Sequence, residues 1–292
     1  MPEETRKPHT KAGAAEPCSV AGGQTGGDLL CSLCGCPLEK GAGFTGSGKQ
    51  YCCEGCYLGD KKYHYLKAEL DNAYLAFAEA LAKAVDIREH ETGLHSKRVA
   101  CHTMVLAKHF TDEKEKLRQI YWGSLLHDIG KIGISDKILL KKGSLTKKEW
   151  AEMEGHPERG FSILSTIPFM RSAADIVLSH EEHYDGSGYP NNLKGDDIPL
   201  GARIFSIIDT LDAMISDRSY RRGVSFDDSK NEIIQMGGSQ FDPEVVEIFI
   251  LEEVVLREMT DSKCGIVSLD FLHTHKTLEE DKCSMKSKTR RL

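Results

Sequence analysis

The chain has no run approaching the roughly 18 apolar residues of a membrane-spanning helix. Its first residues, MPEETRKPHTKAGAAEP, are polar and lack the apolar segment of a secretory signal. It has no basic surplus: 38 Lys and Arg stand against 45 Asp and Glu, a formal net charge of −7. That balance speaks against a general nucleic-acid surface and leaves room for a basic pocket around one small anion. No internal repeat is visible. These absences predict a cytoplasmic protein with no membrane span and no nucleic-acid polymer as partner. What is present, 292 residues with 40% hydrophobic and 28% charged, is ordinary globular material with ample apolar residues for a core.

Composition shifts divide the chain. Residues 1–28 are rich in Gly, Ala, Thr, Pro and charge, and are expected to be a flexible lead. Cysteine is crowded into residues 31–56, and in a reducing compartment such crowding reads as metal binding rather than a disulfide scaffold. Residues 29–60 therefore read as a small module: Cys31-x-x-Cys34 and Cys53-x-x-Cys56 flank a Gly-rich loop or hairpin and suit a closed tetrathiolate zinc site. Cys52 competes with Cys53 for one position, and Cys36 is spare. Residues 61–90 place Leu70, Tyr74, Phe77, Leu81 and Val85 near helical spacing without a proline, which predicts a long connecting helix whose large side chains pack in a core.

Beyond it the pattern is helical almost throughout, over 95–110, 116–129, 158–167, 170–183 and 200–216. Thr146 with Glu149 forms a capping-box signature, and Pro243 takes the favoured first position of a later helix. The tail, 259–292, lacks clear periodicity.

Several of these helices carry ionisable residues where a core is expected. His127-Asp128 interrupts YWGSLLHDIGKIGI, and Asp209 ends RIFSIID. Buried alone, such groups are costly; paired or metal-bound, they are not. With Glu91, His95, His156, His180 and Glu181 they form a candidate ligand set for two or more divalent ions, which activate water and polarise phosphates. Asp128 is the candidate bridging carboxylate and catalytic residue. Lys131 reads as pointing to the side of His127, and Arg218 and Arg221 suit bidentate phosphate contact. His183 and Arg222 are read as ordinary surface residues.

ETGLHSKRV at 91–99, HDIGKIGI at 127–134, LTKKEWAEMEGHPERGFSIL at 145–164, HEEHYDGSGYP at 180–190 and DTLDAMISDRSYR at 209–221 together resemble the HD-GYP family of the HD phosphohydrolase superfamily. The resemblance implies a mainly α fold, an HD-type helical domain over about residues 75–258, holding two or three divalent ions, often iron or manganese. It implies hydrolysis of cyclic di-GMP to linear pGpG, GMP or both, in bacterial signal transduction. Its ligand positions fall on Glu91, His95, His127, Asp128, His156, His180 and Asp209, and its basic ligand-contacting positions on Lys131, Arg218 and Arg221. Glu181 stands where the family usually has histidine. The exposed loop Gly188-Tyr189-Pro190 is implied as a contact for diguanylate cyclase domains, and a homodimer is compatible. The cysteine module resembles a small metal-binding domain found ahead of some heavy-metal transport ATPases. Two alternatives stay open: a phosphohydrolase for other, including mixed cyclic, nucleotides, and a non-hydrolysing module that binds ligand or cyclase.

Overall fold

The computed structural model describes residues 30–36, 38, 44–46, 49–89, 94–216 and 222–261. The expected lead and nearly all of the expected tail lie outside them. The chain divides into two compact units, Met1–Ala73 and Tyr74–Leu292.

In the first unit, strands β1 (Phe44–Gly46) and β2 (Lys49–Tyr51) form an antiparallel hairpin in the Gly-rich stretch. Residues 31–36 fold back on themselves, the Cys31 N–H donating to the Cys36 carbonyl at 2.8 Å, and the Ser32 N–H ties them to the Gln50 carbonyl at 2.9 Å. Tyr51 is buried with Cys31 and Leu38, and its hydroxyl donates to Asp60 at 2.8 Å. So small an apolar core stabilises little on its own. Helix α1 (Glu54–Arg88) begins here, earlier than the expected start at 61. Cys53 explains the early start: its sulfur accepts the Cys56 backbone N–H at 3.4 Å and so satisfies an otherwise orphan donor of the first turn.

In the second unit α1 buries Ala78, Ala82, Val85 and Asp86 and half-buries Tyr74 and Leu81. The expectation that all its large apolar residues pack in a core fails at Leu70 and Phe77, which are 50% and 60% exposed. Within the second unit the helix packs along one face, where alanines permit close approach, and Phe77 lies on the other.

The remaining helices are α2 (His95–Ala107), α3 (Lys114–Leu125), α4 (Asp136–Leu139), α5 (Lys147–Met153), α6 (His156–Leu164), α7 (Arg171–Ser179), α8 (Leu200–Ile215), α9 (Phe226–Gln235), α10 (Pro243–Leu251) and α11 (Glu253–Asp261). Helix α2 packs on α3 and α8, α3 on α7, and α7 on α6. Isoleucine is a middling helix former, yet α8 carries Ile204, Ile207 and Ile208. All three are fully buried, and burial at roughly 2 kcal/mol per side chain outweighs the weak propensity. The Thr146 capping box forms as the sequence predicts, its side chain accepting from Glu149 N and the Glu149 carboxylate accepting from Thr146 N. Asp242 caps α10 ahead of Pro243.

One local expectation is corrected. YWGSLLHDIGKIGI is not a single helix: α3 ends at Leu125, residues 127–128 form a turn, and a 3₁₀ helix follows at Ile129–Gly133. Close packing against α6 accounts for the break. A Cβ on Gly130 would stand 1.9 Å from the His156 carbonyl oxygen and 2.6 Å from Gly160 N, so no other residue fits. Arg88, in the last turn of α1, holds the same segment from its other side. It donates to the Lys131 carbonyl at 2.7 Å and to the Ile134 carbonyl, and pairs with Asp136 at 2.8 Å.

Gly130→Ala is expected to cost more than about 2 kcal/mol, because the clash is with backbone rather than a movable side chain. Urea denaturation measures it; a cost below about 0.5 kcal/mol, the range of an ordinary surface substitution, would show that the turn and α6 separate freely.

Candidate metal centre

The break after α3 places His127 and Asp128 side by side at the meeting point of α2, α6, α7 and α8. Two groups of ligand atoms result, each with all its members within 4.8 Å of one another: His95, His127 and Asp209, and Asp128, His156 and His180. Asp128 faces both groups. Its Oδ2 is 3.0 Å from His127 Nε2, and its Oδ1 is 3.4 Å from His156 Nε2. Phe205 lies beneath, with ring centroids 4.7 Å from His127 and 5.8 Å from His180.

Each imidazole is fixed from behind. Nδ1 of His127, His156 and His180 donates to the carbonyls of Ser124, Met153 and Val177 at 2.9, 2.9 and 2.7 Å. In each case the acceptor lies three residues earlier, so local helical geometry supplies the partner. Nδ1 of His95 pairs instead with Asp212 Oδ2 at 2.8 Å. These bonds commit each Nδ1–H outward and turn each Nε2 toward the centre. Asp212 is itself gripped by Arg98, through Nε to Oδ1 and through Nη2 to Oδ2 at 2.8 Å.

The electrostatics follow from this crowding. Burial pulls His156 down, with His180 beside it adding to the effect, to about 4; burial also lowers His180. Burial opposes a charge on His127, but the adjoining Asp128 prevails and pushes it up to about 9. For Asp128 burial is likewise overcome, and His127 and Lys131 hold its carboxyl well below the usual range. Asp212 is held low against burial by Arg98 and His95. Desolvation raises Asp209.

These features fit a cation. His156 Nε2 and His180 Nε2 stand 3.0 Å apart, each with its only N–H committed elsewhere. Two bare lone pairs at that distance repel, and the depressed basicity of both rings disfavours a shared proton at neutral pH. Nitrogens bound to one ion at about 2.1 Å and at a right angle are about 3.0 Å apart, so the spacing is that of neighbouring ligands. The donor set, imidazole with carboxylate, suits iron, manganese or zinc.

Other residues singled out in the sequence fall as follows. Glu181 lies at the rim, its Oε1 3.9 Å from both His156 and His180 Nε2, outside the tight groups. Lys131 does point into the site, though from the 3₁₀ segment; its Nζ contacts Asp128 Oδ2 at 2.7 Å and Glu89 Oε1 at 3.0 Å. His183 turns away to Ser187 Oγ at 3.0 Å. Glu91, Arg218 and Arg221 lie outside the described residues. Tyr189 corrects an expectation: it is half-buried, not exposed, and its hydroxyl donates to the Glu181 carboxylate. The loop is strapped down by Glu182, whose carboxylate accepts the N–H groups of Asn191 at 2.7 Å and Leu193 at 3.0 Å. Gly188 is required there, since a Cβ would meet His183 N at 2.3 Å.

Sequence reasoning missed Asp212, Arg98 and Glu89. A signal for the first two existed: Asp212 is three residues after Asp209 and Arg98 three after His95, one helical turn in each case. Glu89 gave none beyond its charge.

In the first unit, the sulfurs of Cys31, Cys34, Cys52 and Cys56 lie within 4.8 Å of one another. Cys52 is in this group and Cys53, expected there, is not; the Cys53 sulfur accepts the Cys56 N–H.

A family model described as HD domain matches residues 79–245. Relatives include a Vibrio cholerae protein named "Probable cyclic di-GMP phosphodiesterase", 39% identical over 70% of this chain and 51% of its own length. A second from the same organism, "3'3'-cGAMP-specific phosphodiesterase 2", is 41% identical over 58% of this chain and 33% of its own length. A third, from Thermotoga maritima, named "Cyclic di-GMP phosphodiesterase", is 36% identical over 70% of this chain and 55% of its own length. The chain thus spans about half, or less, of the relatives it matches.

Asp212→Asn is expected to weaken Mn²⁺ binding roughly 10- to 100-fold by releasing the His95 ring, measured by calorimetric titration with folding checked by circular dichroism. An unchanged isotherm would show that Asp212 does not orient that ligand.

Proposed function

The chain belongs to the HD domain family, and on that premise we propose that it is a metal-dependent phosphodiesterase that hydrolyses cyclic di-GMP to linear pGpG, GMP or both. The observation that carries the reading is the pair of adjoining ligand groups with Asp128 between them. His95, His127 and Asp209 hold one divalent ion, and Asp128, His156 and His180 a second, with iron or manganese as the metals. Glu91 is proposed as a further ligand, and Glu181 as a ligand drawn in from the rim. Ions bound there supply Lewis acidity toward a phosphoryl oxygen and activate water at neutral pH.

The residues themselves do the positioning. The Nδ1 bonds keep four imidazoles aimed inward without reorganisation. Asp128 divides its oxygens between the two groups. Lys131, kept protonated by Asp128 and Glu89 against the pull of burial, offers the cation nearest the bridge, which suits an incoming phosphate. Arg218 and Arg221 are proposed to grip the rest of an anionic substrate. Tyr189 holds the Glu181 carboxylate, so the Gly188-Tyr189-Pro190 loop contributes a wall of the site; the same loop is proposed for contact with a diguanylate cyclase domain.

A second substrate reading, mixed cyclic dinucleotides, is supported by the 41% identity with the 3'3'-cGAMP-specific relative. For the cysteine module we propose a structural zinc ion on Cys31, Cys34, Cys52 and Cys56. Backbone contacts lower the Cys34 thiol, while burial pushes the Cys56 thiol up to about 12, so binding of the metal would itself have to displace protons from the set.

The test is metal analysis of anaerobically purified protein with chromatography of products from cyclic di-GMP and 3'3'-cGAMP. Turnover of cyclic di-GMP is expected, and Asp128→Ala is expected to abolish it, a loss of at least about 1,000-fold. Unchanged turnover in that variant removes the mechanism, and full metal loading without turnover favours a binding module. Glu181→His is expected to retain turnover while changing the bound metal content.

Zinc stoichiometry should separate the thiolates: Cys52→Ser is expected to lose the N-terminal zinc and Cys53→Ser to retain it. The reverse result would restore Cys53 as the ligand.

A further inference from the structure

The exposed side of α1 repeats with the period of a coiled coil. Tyr63, Leu66, Leu70, Phe77 and Ile87 are 58%, 54%, 50%, 60% and 57% exposed. All fall on positions a and d of one heptad series, and the positions between them are the exposed alanines 73, 80 and 84. The row covers roughly 36 Å of one continuous helix. Within the second unit, the buried residues Ala78, Ala82 and Val85 occupy the opposite side of the helix. Isolated exposed apolar residues are ordinary on a protein surface, whereas an unbroken a/d row marks a seam to be covered.

We propose that this row is a dimer interface, on which a second copy of the chain packs antiparallel as a two-stranded coiled coil. The side chains choose that direction. An antiparallel pair sets each a position against a d position of the other copy. Leu66 then faces the second copy's Ala84, Leu70 its Ala80, and Ala73 its Phe77, while Tyr63 meets Ile87. Large against small in successive layers fills the seam without overpacking. The charges agree: at the flanking g positions Glu69 faces the second copy's Lys83, and the two-fold axis makes that pair twice. A parallel pair in register does worse on both counts. It stacks the bulky a residues on themselves and alanine on alanine at 73 and 80. It also sets Lys62 against Lys67 and Lys83 against Arg88 across the seam.

The test is sedimentation velocity with light scattering on the full chain up to about 100 µM protomer. A dimer is expected. The double variant Leu70→Glu/Phe77→Glu buries four charges in the seam of a dimer and should raise the dissociation constant at least about 100-fold, with circular dichroism unchanged because both positions are exposed in the protomer. Lys83→Glu alone, and Glu69→Lys alone, should weaken the dimer about three- to tenfold, and the two together should restore it. A monomer at the highest concentration, or a dimer indifferent to the double variant, overturns the interface. Tightening by Lys83→Glu, which would follow from pairing with Arg88 in a parallel seam, overturns the antiparallel arrangement.

Discussion

Four rings with their protons turned outward make the centre what it is. Each Nδ1–H is taken by an oxygen behind the ring, a carbonyl for His127, His156 and His180 and the Asp212 carboxylate for His95. Each Nε2 then points inward, and at His156 and His180, whose basicity burial depresses, two nitrogens come within 3.0 Å. Phe205 lays an apolar floor under His127 and His180. The fold therefore holds an electron-rich point suited to a cation.

That arrangement leans on close backbone packing elsewhere. His156 starts α6 and Asp128 precedes the 3₁₀ segment, and the distance between them is set by Gly130 lying against the His156 carbonyl. The same packing ends α3 early, and so turns His127 and Asp128 out of a helical run and onto the centre. Glu182 does the corresponding work for the loop after His180, by accepting two backbone N–H groups that have no sheet or helix to join.

The helical class and most of the inward-facing histidines and acids are legible in the sequence, because a His-Asp pair in an apolar run is too costly to bury without a partner or an ion. The capping box at Thr146 and the proline start at 243 are legible because both are local. What is not legible depends on contacts between distant segments. Asp212 resembles any acid on a helix until His95 and Arg98 are brought to it from α2. Cys52 and Cys53 are equivalent in a spacing rule, and only the start of α1 decides which sulfur is spent on a backbone amide. Phe77 looks like core because its spacing is helical; spacing cannot say which side of a helix is already taken. Tyr189, in a Gly-rich loop, reads as exposed until Glu181 is seen beneath its hydroxyl.

Arg88 is the last residue of α1 and Glu89 the one after it, and both are fastened to the stretch that bears Lys131, one through its backbone and one through its ammonium. The position of that lysine is therefore tied to the end of the helix at two points. The guanidinium fixes its carbonyl and the carboxylate its amine, which leaves a positive charge anchored next to Asp128.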